Sequence, residues 1–226
     1  EKLNINLAPN YDCTKCCDDG YVNGVMCVCL KQKIQNKLLK FCGIPTEKLH
    51  TFSDSNNAIL DKNPMLKKAY ELAQSYTEKF PNIKTQNLIF MGDVGVGKTF
   101  LLECIASKLM QKNFFVVYTT AFSIANSLLK ALTLPASECS AIMSTFLECD
   151  LLIIDDLGTE NFMRNITVTN FFNILNEREI KAKATLISTN LGFDDIEKRY
   201  GNRVFSRMFN KRKAKVISFA GCDLRI

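Results

Sequence analysis

The sequence predicts an α/β fold in which a five-stranded parallel sheet lies between layers of helices and follows a small cysteine-rich module. Short apolar runs alternate along most of the chain with longer segments of helical periodicity, which is typical of a parallel sheet. Glycine or polar residues come directly after several of these runs, at the sheet edge where such folds bind ligands. Five of the ten cysteines lie between Cys13 and Cys29, which sets the N-terminal module apart.

The composition is that of a globular protein with a sizeable core. The chain has 226 residues, of which 47% are hydrophobic and 23% charged, enough for one or two domains. It contains neither an apolar run of membrane-spanning length nor a signal-peptide pattern. We therefore expect a cytoplasmic protein without membrane contact, whose cysteines are metal ligands or buried thiols in a reducing compartment.

Positive charge is concentrated near the C-terminus. The formal net charge is +6. The segment 198–215 contains no acidic residue and eight basic ones, which are Lys198, Arg199, Arg203, Arg207, Lys211, Arg212, Lys213 and Lys215. The rest of the chain therefore carries a net charge of −2 (+6 minus +8), and the basic excess is one local patch.

The N-terminal cysteines predict a metal site, because they form two chelating pairs on either side of a glycine-containing hairpin. The four predicted ligands are Cys13, Cys16, Cys27 and Cys29. Four thiolates close a tetrahedral Zn²⁺ site without an open position, so we expect a structural zinc ion, with Cys17 as a spare ligand. So short a segment buries little apolar surface, and metal binding would supply its folding energy. The alternative is a reduced, flexible leader.

A joint separates this module from the larger domain. Residues 30–41 are most simply a linker helix, and residues 43–55 form an irregular segment in which His50 has a loop role. We place the boundary after residue 42, which gives a module over 1–42 and a second domain over 43–226. The chain begins at Glu1 rather than at a methionine, which is what we expect of a fragment of a longer protein.

A helix precedes the strongest motif of the chain. Asn63 is a favourable N-cap and Pro64 a favourable first helical residue, and Phe80-Pro81 ends the helix. The motif GDVGVGKT then follows the apolar run NLIFM at residues 87–91 and opens a segment with apolar residues at helical spacing. A strand, a glycine loop, Lys-Thr and a helix are the context of a Walker A phosphate loop.

The residue types of this loop suit a nucleotide. The glycines let backbone N–H groups point into one concavity, and the helix N-terminus favours an anion. Lys98 is predicted to reach the β- and γ-phosphates, and the Thr99 hydroxyl to bind Mg²⁺. The predicted nucleotide contacts of the loop are Gly92, Asp93, Val94, Gly95, Val96, Gly97, Lys98, Thr99 and Phe100.

The run LLIIDDLGTE at residues 151–160 predicts a buried strand with two aspartates at its C-terminal end. Asp155 is predicted to hold the Mg²⁺ shell and Asp156 to polarise the attacking water, as in a Walker B motif. Any strand can end in Asp-Asp, but downstream of a phosphate loop the pair becomes a strong signal. Between the two motifs, the pattern predicts a strand and two core helices, over residues 113–119, 121–132 and 137–148.

The last part of the chain completes the predicted sheet. Residues 166–181 predict a helix and residues 184–190 a buried strand that ends at Asn190. Asn190 is predicted to reach the γ-phosphate or to orient the water, although a turn or capping role is the alternative. Residues 194–208 predict one or two short helices, and residues 215–220 the last strand.

These motifs, in this order, resemble those of AAA+ ATPases. More narrowly, the chain resembles the bacterial replicative helicase loaders of the DnaC/DnaI type and their transposon and phage relatives such as IstB. The matching pieces are GIP and TF within residues 43–52, GDVGVGKT, LLIIDDLG, STNL, NRVFSRM and the final GCDLR. The cysteine module resembles the zinc-binding part of DnaI-like loaders and favours a loader over a transposition regulator.

The resemblance implies roles for individual residues. Lys98 and Thr99 are the nucleotide ligands, Asp155 and Asp156 the Walker B pair, and Asn190 sensor 1. Arg207 in the SRMF motif matches the arginine finger, which reaches a neighbouring subunit's γ-phosphate, with Arg203 as the competing candidate. Further implied positions are Arg225 as sensor 2, Leu49 and Phe52 at the adenine pocket, and Lys130 in the helices that bind single-stranded DNA.

The function implied by the resemblance is ATP-dependent loading of the hexameric replicative helicase onto single-stranded DNA, with self-association through the ATP sites. Asp156 is one methylene shorter than the glutamate of many AAA+ proteins, which predicts slow turnover. One alternative is an IstB-like transposition regulator that binds duplex DNA. Another is a nucleotide-gated adaptor with negligible hydrolysis.

Overall fold

The computed structural model describes residues 11–41, 49–221 and 224 of the chain. Its N-terminal part consists of an antiparallel hairpin and a helix, which are β1 (Tyr21–Val22), β2 (Val25–Met26) and α1 (Val28–Phe41). Asn23 and Gly24 form the hairpin turn with φ angles of 51° and 76°. Asparagine and glycine tolerate this left-handed conformation better than other residues, which is why the predicted hairpin forms here.

The larger part is a five-stranded parallel sheet between helices, as the sequence predicts. Its strands are β3 (Asn87–Gly92), β4 (Val116–Thr120), β5 (Leu151–Leu157), β6 (Ala184–Thr189) and β7 (Ala214–Phe219). Its helices are α2 (Asn57–Lys62), α3 (Pro64–Lys79), α4 (Lys98–Gln111), α5 (Ala121–Ala131), α6 (Ala136–Glu148), α7 (Arg164–Ile180) and α8 (Phe193–Met208). The strand order β4-β5-β6-β3-β7 places β6 between the strands that carry the two main motifs.

Two hydrophobic clusters cover the two faces of the sheet. Along β3, Leu88 and Phe90 join the cluster beneath α3 and α4. Their neighbours Ile89 and Met91 join the cluster beneath α5, α7 and α8. Side chains alternate between the faces of a strand, so a strand covered on both faces must be apolar throughout. This explains the unbroken apolar runs that identify β3 and β5 in the sequence.

The strand β4 begins at Val116, whereas the sequence pattern predicts a start at residue 113. Asn113 has a φ of 65°, and its N–H donates to the carbonyl of Met110 at 2.9 Å. The N–H of Phe114 donates to the carbonyl of Leu109 at 3.1 Å. These bonds close the C-terminus of α4 through a left-handed residue, so Asn113 and Phe114 belong to the helix end rather than to the strand.

The helix α8 contains a break at Gly201, where φ is 78° and ψ is 166°. This region of backbone conformation is accessible almost only to glycine. The predicted one or two short helices are therefore two helical halves on either side of Gly201. A 3₁₀ turn (Phe52–Asp54) and the helix α2 are elements that the sequence analysis does not predict.

The guanidinium of Arg178 is fully buried at the edge of the sheet opposite the phosphate loop. It donates to the carbonyls of Phe146 (2.7 Å) and Cys149 (3.1 Å) and to the hydroxyl of Thr185 (3.0 Å). The carbonyls at a helix C-terminus carry partial negative charge, so the end of α6 stabilises this cation. These contacts fix α6 and α7 against the start of β6.

Some predictions fall on residues that the structure does not describe. The predicted boundary after residue 42 and the GIP motif lie within residues 42–48, and Arg225 lies beyond the described Leu224. Among the helices that the structure describes, none is both long enough and apolar enough to cross a membrane.

Candidate functional site

The phosphate loop connects the end of β3 to the start of α4, in the context that its motif predicts. Gly95 and Gly97 have φ angles of 80° and 94°, which favour glycine. A Cβ at Gly92 would lie 2.3 Å from the carbonyl oxygen of Phe219 on β7, so no larger residue fits there. The helix α4 begins at Lys98, so its unpaired N–H groups lie next to the loop.

Lys98 is buried beneath this loop. Its ammonium group donates to the carbonyl oxygens of Gly92 (2.7 Å) and Asp93 (2.6 Å) and to Oδ1 of Asn190 (2.6 Å). Asn190 follows β6, which pairs directly with β3. The structure therefore brings Lys98 and Asn190 together, although they lie far apart in the sequence. A phosphate oxygen would compete with these oxygen atoms for the ammonium group.

Asp155 lies at the end of β5 and is almost fully buried. Its Oδ1 accepts hydrogen bonds from the Thr99 hydroxyl (3.4 Å) and from the hydroxyl of Ser188. Its Oδ2 accepts a hydrogen bond from the hydroxyl of Tyr118 (2.8 Å). Thr99 and Asp155, the predicted Mg²⁺ ligands, are therefore adjacent, and a carboxylate beside a hydroxyl suits this oxygen-seeking cation.

Tyr118 and Ser188 are functional candidates that the sequence analysis misses. They lie on β4 and β6, the two strands that flank β5. In the sequence each looks like an ordinary strand residue, and only the strand order brings both hydroxyls to Asp155. Burial raises the pKa of Tyr118 well above its usual range, so its phenol remains a hydrogen-bond donor.

We expect Tyr118→Phe to weaken the apparent affinity for Mg²⁺ by about 10- to 100-fold, because it removes a donor that orients the carboxylate predicted to bind the metal. A Mg²⁺ titration of ATP hydrolysis measures the effect. Tyr76→Phe is the matched control, since its hydroxyl donates to the carbonyl of Gln86 (3.0 Å), away from the site. Equal Mg²⁺ midpoints for Tyr118→Phe and wild type would exclude this role for Tyr118.

Asp156 follows in a left-handed conformation, with a φ of 53°. Its N–H donates to the Ser188 hydroxyl (2.8 Å), and the register of β5 against β6 shifts between Ile154 and Leu157. This irregularity turns Asp156 out of the sheet, and the residue lines the cavity beside the loop. Aspartate is enriched among non-glycine residues with positive φ, which favours aspartate over glutamate here.

A cavity of about 600 Å³ opens beside these groups, a volume suited to a nucleotide. The polar residues that line it include Lys98, Thr99, Asp156, Thr159 and Asn190. The apolar and aromatic residues that line it include Ile59, Leu60, Leu66 and Tyr70. Of the other predicted loop contacts, Val94, Gly95, Gly97 and Phe100 line the cavity. Val96 points into the core instead.

The segment before α2 reaches the cavity through side chains other than those predicted. Leu49 and Phe52 pack against the hydrophobic cluster of α3 and α4, because apolar side chains favour the core. Their neighbours His50, Asp54 and Ser55 line the cavity. The ring of His50 lies 5.1 Å from that of Phe100, and its backbone N–H donates to Glu103.

The C-terminal segment also approaches the loop. The N–H of Leu224 donates to the carbonyl of Gly95 at 3.0 Å, and Leu224 lines the cavity. Arg225, the next residue, is outside the described residues, and its sensor 2 role remains a prediction.

Arg203 and Arg207 both lie in the second half of α8, and neither is among the residues that line the cavity. Arg207 pairs with Glu179 on α7 (Nη1 to Oε2, 3.2 Å), and its buried Nε has no hydrogen-bond partner among the residues that the structure describes. Arg203 is exposed, and its side chain makes no ion pair or hydrogen bond with any residue that the structure describes. The arginine-finger role of either residue remains a prediction.

The four predicted zinc ligands converge at the hairpin. The sulfur atoms of Cys13, Cys16, Cys27 and Cys29 all lie within 4.8 Å of one another. Tetrahedral Zn–S bonds of about 2.3 Å separate sulfur atoms by about 3.8 Å, so the donor set fits zinc. Cys17 is exposed and is not part of this group.

Lys130 lies on the exposed side of α5, near its C-terminus. Phe122 and Leu132 in the same region are also exposed. The side chain of Lys130 is therefore accessible to solvent, and its contact with single-stranded DNA remains a prediction.

Comparison with known proteins shows which part of the chain matches a family of ATP-binding proteins. The family model described as IstB-like ATP binding protein matches residues 57–216. The phage-like element PBSX protein XkdC of Bacillus subtilis is 26% identical over 216 residues, which cover 88% of this chain and 80% of XkdC. The replicative helicase loader DnaI of the same organism is 26% identical over 190 residues, which cover 82% of this chain and 57% of DnaI.

Among solved structures, the DnaC helicase loader resembles this chain with a TM-score of 0.62 and 20% identity. The similarity covers 70% of this chain and 92% of that structure. At this identity the likeness shows the fold alone, a parallel sheet between helices with a phosphate loop after β3. The chain spans less than two thirds of the length of DnaI.

Proposed function

Because the chain belongs to the family of IstB-like ATP-binding proteins, we propose that it is an ATPase that loads the replicative DNA helicase onto single-stranded DNA. The observation that carries this proposal is the combination of a nucleotide site with a four-cysteine cluster at the N-terminal hairpin. The similarity to the helicase loader DnaI, over 82% of this chain, supports the same assignment. We propose the cytoplasm as its location.

The residues around the cavity have separable roles in this proposal. Lys98 binds the β- and γ-phosphates, and Thr99 and Asp155 hold Mg²⁺, with Tyr118 and Ser188 orienting the carboxylate. A Mg²⁺ ion held by Thr99 and Asp155 would supply positive charge that stabilises the negative charge developing on the phosphates.

The remaining roles concern the water and the neighbouring subunit. Asp156 accepts a proton from the attacking water, and Asn190 orients that water or the γ-phosphate. An arginine of α8 reaches the nucleotide of a neighbouring copy, so the site is completed by self-association.

The cysteine cluster has a structural role. Cys13, Cys16, Cys27 and Cys29 bind one Zn²⁺, which leaves no position for a substrate. The hairpin strands have only two residues each, so the metal supplies most of the folding energy of the module.

Native mass spectrometry of the full-length protein with the replicative helicase of its host tests the loader function. We expect a defined complex of the two proteins with ADP or with an ATP analogue, and one zinc ion per loader chain. Absence of a complex under either nucleotide, together with filaments on duplex DNA, would instead support a transposition regulator.

Steady-state turnover with and without single-stranded DNA tests the adaptor alternative. That alternative requires negligible ATP hydrolysis under both conditions.

We expect Asp156→Glu to raise ATP turnover about tenfold, because a carboxylate one methylene longer approaches the attacking water more closely. A positioned general base accelerates such a reaction by about 10²–10⁴-fold, and the expected gain is a part of that acceleration. Single-turnover hydrolysis measures it, and Asp156→Asn, which should lose hydrolysis and keep ATP binding, is the control. An unchanged rate for Asp156→Glu would count against slow turnover being due to the short side chain.

A further inference from the structure

The carboxylate of Glu160 is fully buried between the loop after β5 and the helix α8. Its Oε2 accepts a hydrogen bond from the N–H of Gly158 (2.9 Å). Its Oε1 accepts hydrogen bonds from the Tyr200 hydroxyl (2.6 Å) and from Nη2 (2.9 Å) and Nε (3.1 Å) of Arg199. A buried carboxylate is tolerated only when its oxygen atoms are paired in this way. One side chain therefore joins two separate parts of the fold.

One of these parts is the turn that begins at Asp156. The N–H and the hydroxyl of Thr159 both donate to the carbonyl of Asp156, at 3.2 and 2.8 Å. Gly158 has a φ of 113°, and a Cβ there would lie 2.9 Å from the side chain of Leu191. The turn is thus packed against the residue that follows Asn190. Any shift of Asp156 or Asn190 on nucleotide binding would be transmitted to Gly158.

The other part is the first half of α8, which ends beside the glycine break. Arg199 and Tyr200 directly precede Gly201, and Arg203 and Arg207 follow it. The guanidinium of Arg199 also lies 4.6 Å from the ring centroid of Phe162. Tyr200 is buried, with its ring 6.0 Å from that of Phe171 on α7. Glu160 therefore holds the end of the first half of α8, and the non-helical Gly201 connects that half to the segment that carries the two arginines.

We infer that Glu160 is a positioning residue that couples the nucleotide cavity to the arginine-bearing second half of α8. The inference rests on the proposed ATPase function. Glu160 touches neither the cavity nor Arg203 or Arg207, and acts through Gly158 on one side and through Arg199 and Tyr200 on the other. Binding of ATP would thereby set the orientation in which α8 meets a neighbouring copy.

Hydrogen–deuterium exchange of the full chain tests this coupling without requiring hydrolysis. The measurement is made with and without a non-hydrolysable ATP analogue and Mg²⁺. The protein concentration is one at which a measurement of molecular size shows the protein to be monomeric. In the wild type, we expect the analogue to slow exchange in residues 202–208. Glu160→Gln should abolish this response while its affinity for the analogue stays within about twofold of the wild type. Glu197→Gln, an exposed change of the same charge on α8, is the control and should respond like the wild type.

Hydrolysis supplies a second readout. Misplacement of a reacting group lowers rates by up to about 100-fold, and we expect Glu160→Gln to lower kcat about 10- to 100-fold with little change in KM. If Glu160 acts through the arginines, its effect should vanish in an Arg207→Ala background. If Glu160 had only a structural role, Glu160→Gln would lower the melting temperature. Its effect on kcat would then multiply with that of Arg207→Ala in the double variant.

The outcomes separate this inference from the proposed function. If the wild type binds the analogue but residues 202–208 do not respond, the coupling is wrong and the ATPase proposal stands. An equal response in Glu160→Gln and wild type would also overturn the coupling. Failure of the wild type to bind the analogue would overturn both.

Discussion

Arg207→Ala is expected to lower assembly-stimulated ATP hydrolysis by about 10³–10⁵-fold, the effect of an arginine supplied by a neighbouring subunit in related phosphoryl-transfer systems. Binding of ATP by separate chains should stay nearly unchanged, because Arg207 does not line the cavity of its own chain. Hydrolysis measured against protein concentration, together with nucleotide binding at low concentration, separates the two effects.

The surroundings of Arg207 suit a residue that changes partners. In the single chain it pairs with Glu179, which also accepts a hydrogen bond from Asn210 (2.7 Å) and lies 3.7 Å from the ammonium group of Lys213. Glu179 would therefore remain paired if Arg207 moved to a phosphate. Within the described part of the chain, the buried Nε of Arg207 donates to no acceptor, so it could donate to a phosphate oxygen.

Two further variants sharpen this test. Arg203→Ala removes the competing candidate, and a larger loss there than in Arg207→Ala would assign the finger to Arg203. Arg212→Ala removes an exposed arginine of the same basic segment and should leave hydrolysis unchanged. If Arg207→Ala weakened ATP binding by separate chains as strongly as it weakened hydrolysis, the residue would be structural.

Residues that act within one contiguous stretch could be predicted from the sequence. The loop from Gly92 to Thr99 contains the strand end, the glycines and the helix start on which its geometry depends. The order of these residues along the chain is therefore enough to predict the loop. Asp155 and Asp156 could be identified because a buried parallel strand places its last residues at the ligand edge. The cysteine cluster followed in the same way from spacing alone.

Residues that act through the strand order could not be predicted in this way. Tyr118 and Ser188 meet at Asp155 only because β4 and β6 flank β5, and a single sequence does not specify that neighbourhood. Glu160 follows the aspartate pair closely, but its function depends on Arg199 and Tyr200, which approach it through the packing of α8. The break in α8 was likewise ambiguous, since an isolated glycine is tolerated within a helical pattern.

The adenine side of the cavity shows a different limit. Leu49 and Phe52 were predicted there from resemblance, but hydrophobic residues in an irregular segment can pack on either side of it. In the structure both side chains pack against the cluster beneath α3 and α4, and their neighbours His50 and Ser55 line the cavity. The segment therefore reaches the cavity, and the roles of Leu49 and Phe52 at the adenine remain predictions.

Removal of zinc is expected to unfold the N-terminal module while the α/β domain stays folded. Structural zinc contributes about 10–16 kcal/mol to the folding of small modules, far more than the two-residue strands β1 and β2 can supply. Cys16→Ser should therefore lose the zinc ion and the exchange protection of residues 11–29. Native mass spectrometry measures the zinc content, and hydrogen–deuterium exchange measures the folding of each part.

The fifth cysteine of the module provides the control. Cys17 is exposed and outside the sulfur cluster, so Cys17→Ser should keep one zinc ion and normal protection. If Cys16→Ser also keeps zinc, the combined Cys16→Ser and Cys17→Ser variant decides whether Cys17 has replaced the missing ligand. Zinc retained in that double variant would contradict the four-thiolate site. The helix α1 contacts β4, but none of the four cysteines lines the cavity. Loss of zinc should therefore leave ATP binding intact and affect only those interactions that require a folded module.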